Sequence, residues 1–230
     1  MTEPYQSDWA RLLLGDSFHP GGTALTEYLG TLLSLGSDQR VLDVAAGQGA
    51  SAIHLAQRFG CSVLGIEYSS VAVENASQAV LATGVAHLVT FEQGDAENLP
   101  VPAASFDVVL CECAFCTFPQ KAMAASEFVR VLRPGGRVGL SDLTRKGDIP
   151  ADLQGLLAWI ACIADAQPLE DYVHYLTEAG LTVQLETVCK GFKMGLSLGD
   201  AEASGSETRK SNFRCFLART RSPCRADGRR

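Results

Sequence analysis

Two rhythms of hydrophobic and polar positions alternate along this chain of 230 residues. Short apolar runs without polar alternation occur at Arg40–Val44 (RVLDV), Ser62–Ile66 (SVLGI), Leu88–Phe91, Phe106–Leu110 (FDVVL) and Arg137–Leu140 (RVGL). Runs of this length, rich in Val and Leu, predict parallel strands buried on both faces. Between them, Ala50–Phe59, Val71–Leu81 and Met123–Leu132 repeat their apolar positions every three and four residues, which predicts helices. Pro134-Gly135-Gly136 stops the last of these and turns the chain into the next strand. Strands alternating with helices predict an α/β fold with a doubly wound, mainly parallel sheet.

A helical lead, 1–39, precedes this core, with Leu25, Tyr28, Leu29, Leu32 and Leu33 expected on one face. Helical patches at Leu153–Ile163 and Leu169–Ala179 follow the core, then Thr182–Val188 and Phe213–Leu217 as closing antiparallel strands. Residues 195–211 read as a long polar loop, mobile or part of a lid. The expected organisation is the lead 1–39, one domain 40–218, and a mobile basic tail 219–230.

Composition adds limits. Hydrophobic residues make up 47% and charged residues 20%, the balance of a soluble globular chain with ample material for a core. A net charge of −7 argues against a dedicated nucleic-acid partner, and the tail's Arg219, Arg221, Arg225, Arg229 and Arg230 make the remainder more acidic still. No stretch approaches the roughly 18 apolar residues of a membrane span, and MTEPYQSDWAR lacks the basic and apolar regions of a signal peptide. The expected location is therefore cytoplasmic, with a small molecule as partner and no membrane. The sequence sets no oligomeric state. Eight cysteines are many for a reducing compartment; thiol chemistry or soft-metal binding is the expectation there, rather than stable disulfides. Cys61 and Cys111 read as small core hydrophobes.

Ligands of doubly wound sheets bind beyond the carboxyl ends of the strands. In this chain those ends carry Asp43, Glu67, Asp95 and Glu112, with no Lys or Arg in the same turns. Ala45-Ala46-Gly47-Gln48-Gly49 after the first strand would let a ligand approach the backbone. Gly47-x-Gly49-x-x-Ala52, with Glu67 beyond it, formally fits a dinucleotide fingerprint. A pyrophosphate beside Asp43 would be electrostatically unfavourable, however. S-adenosylmethionine carries a sulfonium and an ammonium and no phosphate, and the sign of the pocket favours it. Asp43 would lie near the amino group, Glu67 would accept from the ribose hydroxyls and Asp95 would lie near the adenine amine. The candidate cofactor residues are Asp43, Ala45, Gly47, Gln48, Gly49, Glu67, Tyr68, Asp95, Ala96 and Glu112.

The segments VLDVAAGQG, VLGIEYS, GDAENLP, SFDVVL and RVLRPGGRVGLSDL, in this order from Arg40 to Asp142, resemble the class I S-adenosylmethionine-dependent methyltransferases. The resemblance implies their Rossmann-like fold, their cofactor and methyl transfer. Ala45 replaces the first glycine of the family loop, and Asp107 reads as structural.

Cys111-x-Cys113-x-x-Cys116 follows the fourth strand, on the methyl-acceptor side of such a site. With one CxxC and no nearby His, structural zinc lacks its four ligands. Soft thiolates also hold soft electrophiles such as trivalent arsenic. VLCECAFCTFPQKAMAASEFVRVLRPGG and AWIACIADAQPLEDYVHYLTEAGL resemble the corresponding segments of arsenite methyltransferases. The resemblance implies Cys113 and Cys162 as catalytic residues that hold As(III). Beyond it, Cys116, expected at the start of the following helix, where the helix N-terminus would favour its thiolate, could curl back as a third such ligand, an arrangement different from the family's. The family's cysteine after the glycine motif is missing here. The arsenic lone pair would attack the methyl carbon directly, so no general base is needed. The alternative acceptors are an organic O, N or C centre, with His19, Glu112 or Tyr172 as base for oxygen; a non-catalytic metal-binding protein on the same fold is the third reading. Tyr5 and Trp9 could cover the sulfonium through cation–π contact. His54, His87 and His174 read as helix or loop residues.

Overall fold

The computed structural model describes residues 21–145, 166–188 and 212–220. A sheet of seven strands, β1 (Arg40–Val44), β2 (Ser62–Glu67), β3 (Val89–Gln93), β4 (Phe106–Glu112), β5 (Leu132–Thr144), β6 (Leu181–Val188) and β7 (Asn212–Thr220), runs in the order β3-β2-β1-β4-β5-β7-β6. The first five strands are parallel, and β7 pairs antiparallel with β5 and β6. This is the doubly wound, mainly parallel sheet with antiparallel closing strands that the apolar runs predict. The helices are α1 (Gly22–Leu32), α2 (Ala50–Phe59), α3 (Ser70–Leu81), α4 (Lys121–Val131) and α5 (Leu169–Glu178), with a 3₁₀ turn at Phe115–Thr117.

β1 and β4 are apolar on both faces because both faces are covered. Val41, Leu42 and Val44 of β1 are buried, as are Val108, Val109, Leu110 and Cys111 of β4. α5 closes the side of β7 through Tyr172, whose ring stacks on Phe216 at 5.5 Å and whose hydroxyl donates to Leu143 O at 2.8 Å. Among the described residues no helix is long and apolar enough to cross a membrane.

Several expectations change. Within α1, Thr26 and Gly30 join Leu25 and Leu29 in the core, while Tyr28 is 40% exposed. The β4–β5 partners skip from Phe106–Leu132 to Val108–Arg137, so Pro134-Gly135-Gly136 bulges out and regular pairing begins at Arg137. β7 runs past 218: Arg219 pairs with Arg137 and Thr182, and Thr220 Oγ1 accepts the Gly135 amide at 2.9 Å. Cys215, in the same strand, is disulfide-bonded rather than reduced. The remaining tail, the 153–163 patch and the 195–211 segment lie outside the described residues.

Candidate active site

Asp43, one residue before the end of β1, and Glu67 and Glu112, which end the flanking parallel strands β2 and β4, meet at the carboxyl edge of the sheet. The turn after β1 is held in left-handed backbone at Ala45 (φ 60°), Gly47 (φ 56°) and Gly49 (φ 84°). The two glycines differ in what surrounds them. A Cβ at Gly49 would lie 2.4 Å from Phe91 Cζ and 3.1 Å from Ala76 Cβ, so protein already fills that space. A Cβ at Gly47 would meet nothing within 4 Å. The open side of the turn therefore faces away from the protein, where a ligand can lie against the backbone. Glu67 fixes the turn: Oε2 accepts the Gly47 amide at 3.0 Å and Oε1 the Ser69 amide at 2.9 Å. A carboxylate has about four lone-pair sites, so capacity remains for further donors.

Beside it lies a buried polar cluster. The hydroxyls of Thr26 in α1 and Ser51 in α2 both donate to Glu112 Oε2, at 2.8 and 2.7 Å. Each hydroxyl has one proton, so the 3.3 Å contact between the two oxygens adds no further bond. Asp43 is 3% exposed and its Oδ2 accepts no hydrogen bond. Burial, then the charges of Glu112 and Glu67, push its carboxyl well above the ordinary range, against the pull of the Ala52 amide. Asp95 is exposed, and its Oδ1 accepts the Glu97 amide at 2.9 Å. Gln48 and Ala96 are half-buried, and Tyr68 is 62% exposed. Asp107 proves structural, accepting from the Arg40 amide and Arg133 Nη1, both at 2.8 Å.

Three participants escape the sequence reading. Thr26 and Ser51 sit among apolar helix positions, and nothing in their spacing marks them. Asp142, at the end of β5, is wholly buried; its Oδ2 accepts the Cys116 amide at 2.8 Å and its Oδ1 the Leu143 amide at 2.7 Å. An acid closing a strand in SDL was the available signal.

The thiols are less alike than their spacing implies. Cys111 and Cys116 are fully buried in the hydrophobic core, while Cys113 is half-buried with φ at 53°. Cys116 lies in the 3₁₀ turn, and α4 starts only at Lys121, so no α-helix N-terminus stands at its sulfur. Pro119 between them keeps the segment extended. Cys61 is also fully buried, which pushes its thiol up to about 11; burial and neighbouring acids raise Cys111 as well. Among the described residues no group of three His, Cys, Asp or Glu could hold a metal ion. Cys162, His19, Tyr5 and Trp9 lie outside those residues. Tyr172 does not serve as a base, since it is fully buried with its proton given to Leu143 O. His54 and His174 stand on helices and His87 in a turn, as expected.

Residues 41–136 match the family model of the methyltransferase domain. Over 162 residues the chain is 35% identical to 27-O-demethylrifamycin SV methyltransferase of Amycolatopsis mediterranei (strain S699), covering 69% of this chain and 60% of that protein. Arsenite methyltransferase of Halobacterium salinarum is 33% identical over 145 residues, 62% of this chain and 37% of the relative. In three dimensions the chain is similar to geranyl diphosphate C-methyltransferase of Streptomyces coelicolor A3(2), solved with Mg2+, geranyl diphosphate and S-adenosyl-L-homocysteine. The TM-score is 0.73 at 17% identity, over 96% of this chain and all of the other. The chain spans about three-fifths of the length of the rifamycin relative. The acceptors in these names differ, so the resemblance narrows from arsenite methyltransferases to the domain they share. Residues 41–136 match a methyltransferase domain, and the sheet has the class I, Rossmann-like fold of these structural neighbours.

Proposed function

We propose that this protein transfers a methyl group from S-adenosylmethionine to an organic small molecule. The observation that carries the cofactor half is the buried Asp43 carboxyl, with one oxygen lacking a partner, set beside Glu67 and Glu112. Three acids at one edge call for a cation, and the space over Gly47 gives it room. Bound there, the cofactor supplies an electrophilic methyl on a sulfonium. Asp43 would receive the ammonium group. Glu67 would accept the ribose hydroxyls while its amide bonds keep the turn closed, and Asp95 and Ala96 would border the adenine. Ala45, Gly47, Gln48 and Gly49 would supply the backbone wall, Tyr68 the outer edge, and Glu112 the floor toward the acceptor. Orientation of acceptor and methyl in such a site supplies several kcal/mol of the barrier.

The burial of Cys116 and the rifamycin relative support an organic acceptor over arsenic. A second reading keeps arsenite, favoured by the half-buried Cys113 just beyond β4 and by the haloarchaeal relative; Cys113, Cys116 and Cys162 would then be its ligands. One experiment separates the two. The full chain is incubated with S-adenosylmethionine and either 27-O-demethylrifamycin SV and small amines, or arsenite with fresh thiol, and methylated products are read by mass spectrometry. Methylated organic product supports the proposal. Methylarsenic species from wild type, lost in Cys113→Ser, would replace it with the second reading.

A further inference from the structure

Asp43 and Glu112 project from one face of the sheet. Asp43 pairs with Leu110 in the β1–β4 register, and Glu112 is two residues beyond Leu110, so the alternation of a strand puts all three on the same side. α1 and α2 close that side through Thr26 and Ser51, leaving both acids almost without solvent, at 3% and 8% exposure. The polar groups around the two acids differ. Glu112 Oε2 takes two hydroxyl protons, which makes it an acceptor. Asp43 is held by the Ala52 amide alone, and its Oδ2 has no donor.

The charges acting on Asp43 come from Glu112 on β4 and Glu67 on β2. α2 contributes the Ala52 amide, and α1 contributes Thr26, which acts through Glu112. On β5, Ser141 lies opposite Glu112, and the next residue, Asp142, acts with Asp43 on Cys111. The cations Arg58 and His54 are engaged by Glu27, toward the other end of α2. No described Lys, Arg or His acts on Asp43. Burial of Asp43 beside a second acid, with no described cation acting on it, favours its protonated form.

Resting on the cofactor reading above, we propose that Asp43 carries a proton until the cofactor binds, that Thr26 and Ser51 hold Glu112 in place beside it through its Oε2, and that S-adenosylmethionine expels this proton to solvent as its positive charges arrive. The balance is one O–H bond broken at Asp43, the proton passing to buffer and the carboxylate left facing the cationic ligand. Between the carboxyl's free and bound titration ranges, cofactor affinity then rises with pH, by up to about tenfold per unit for one proton.

The test is titration calorimetry of the full chain in buffers of different ionisation enthalpy between pH 5 and 8. S-adenosylmethionine should release up to about one proton per site, the number falling as pH rises. S-adenosylhomocysteine, which keeps the ammonium but lacks the sulfonium, should release less. Glu112→Gln keeps a carbonyl acceptor for both hydroxyls and removes the neighbouring charge, so release should move to lower pH. Asp43→Asn should abolish it. S-adenosylmethionine binding with heat independent of buffer at every pH overturns this inference alone, as does a Glu112→Gln profile identical to wild type. No binding at all overturns both this inference and the cofactor reading.

Discussion

Gly47 and Gly49 stand two residues apart in one turn with the same handedness, yet alanine should harm them in different ways. Both substitutions carry the cost of a side chain in left-handed backbone, about 1–2 kcal/mol, and the neighbouring Ala45 at φ 60° already bears it. At Gly47 the new methyl meets nothing within 4 Å. Stability should therefore fall only by that cost, or roughly 2–8 °C in Tm at about 2–4 °C per kcal/mol for a chain of this size. At Gly49 the methyl would sit 2.4 Å from Phe91 Cζ and 2.9 Å from Cε1, so Phe91 must move. Overpacking of this kind adds about 1–3 kcal/mol, for a total near 2–5 kcal/mol and a Tm fall of roughly 4–20 °C. Cofactor affinity should show the opposite order, measured by calorimetry at a temperature where both variants are folded. Gly47→Ala should lose at least about tenfold, or 1.4 kcal/mol, because its methyl occupies the space over the turn. Gly49→Ala should lose less, and Phe91→Leu in the same chain should recover part of its Tm. If Gly47→Ala binds S-adenosylmethionine as wild type does, the open side of the turn is not where the cofactor lies.

Asp43→Asn removes a carboxyl whose titration is raised by burial. Such a group holds its proton more tightly in the folded than in the unfolded chain, so apo stability falls as pH rises from its unfolded range near 4 toward its folded range; the variant should flatten that fall in Tm while weakening cofactor binding at least about tenfold. Glu67→Gln keeps one acceptor for two amides, leaving Gly47 N or Ser69 N unsatisfied; chemical denaturation should show a loss of about 1–3 kcal/mol, and calorimetry a cofactor affinity lowered at least about tenfold. Iodoacetamide at pH 8, with peptide mapping, should label Cys113 and spare Cys61, whose thiol near 11 is ionised in about one molecule in a thousand there. Equal labelling of the two would show that Cys61 is not held in the core.

Much of the sheet was readable because parallel strands buried on both faces leave no polar interruption. FDVVL and RVLDV fall within β4 and β1 for that reason. The three core helices start or end within two residues of their expected bounds. Acids at strand ends were equally visible, since Asp43, Glu67 and Glu112 each interrupt or end an apolar run. Thr26 was not visible, because a threonine in a helix reads as a surface position until its partner 86 residues away is known. The same limit applies to Tyr28: its spacing fits the apolar face, but the close approach of α1 to Glu112 rotates Thr26 inward instead. Cys116 failed for another reason. CxCxxC describes a spacing, and only the 3₁₀ turn decides which sulfur enters the core.

The strand order has a consequence for the ribosome. β7, made after β6, is inserted between β5 and β6, so β6 cannot take its place beside β5 directly. Once Thr144 has emerged, the five parallel strands can assemble, but the outer edge of β5 stays open until residues 212–220 appear. At about 5–20 residues per second, this leaves an unpaired row of backbone donors and acceptors exposed for roughly 4–15 s on every nascent chain. An open edge is a template for another chain's strand. Slower translation through residues 145–211 should therefore lower soluble yield without changing the activity of the molecules that do fold.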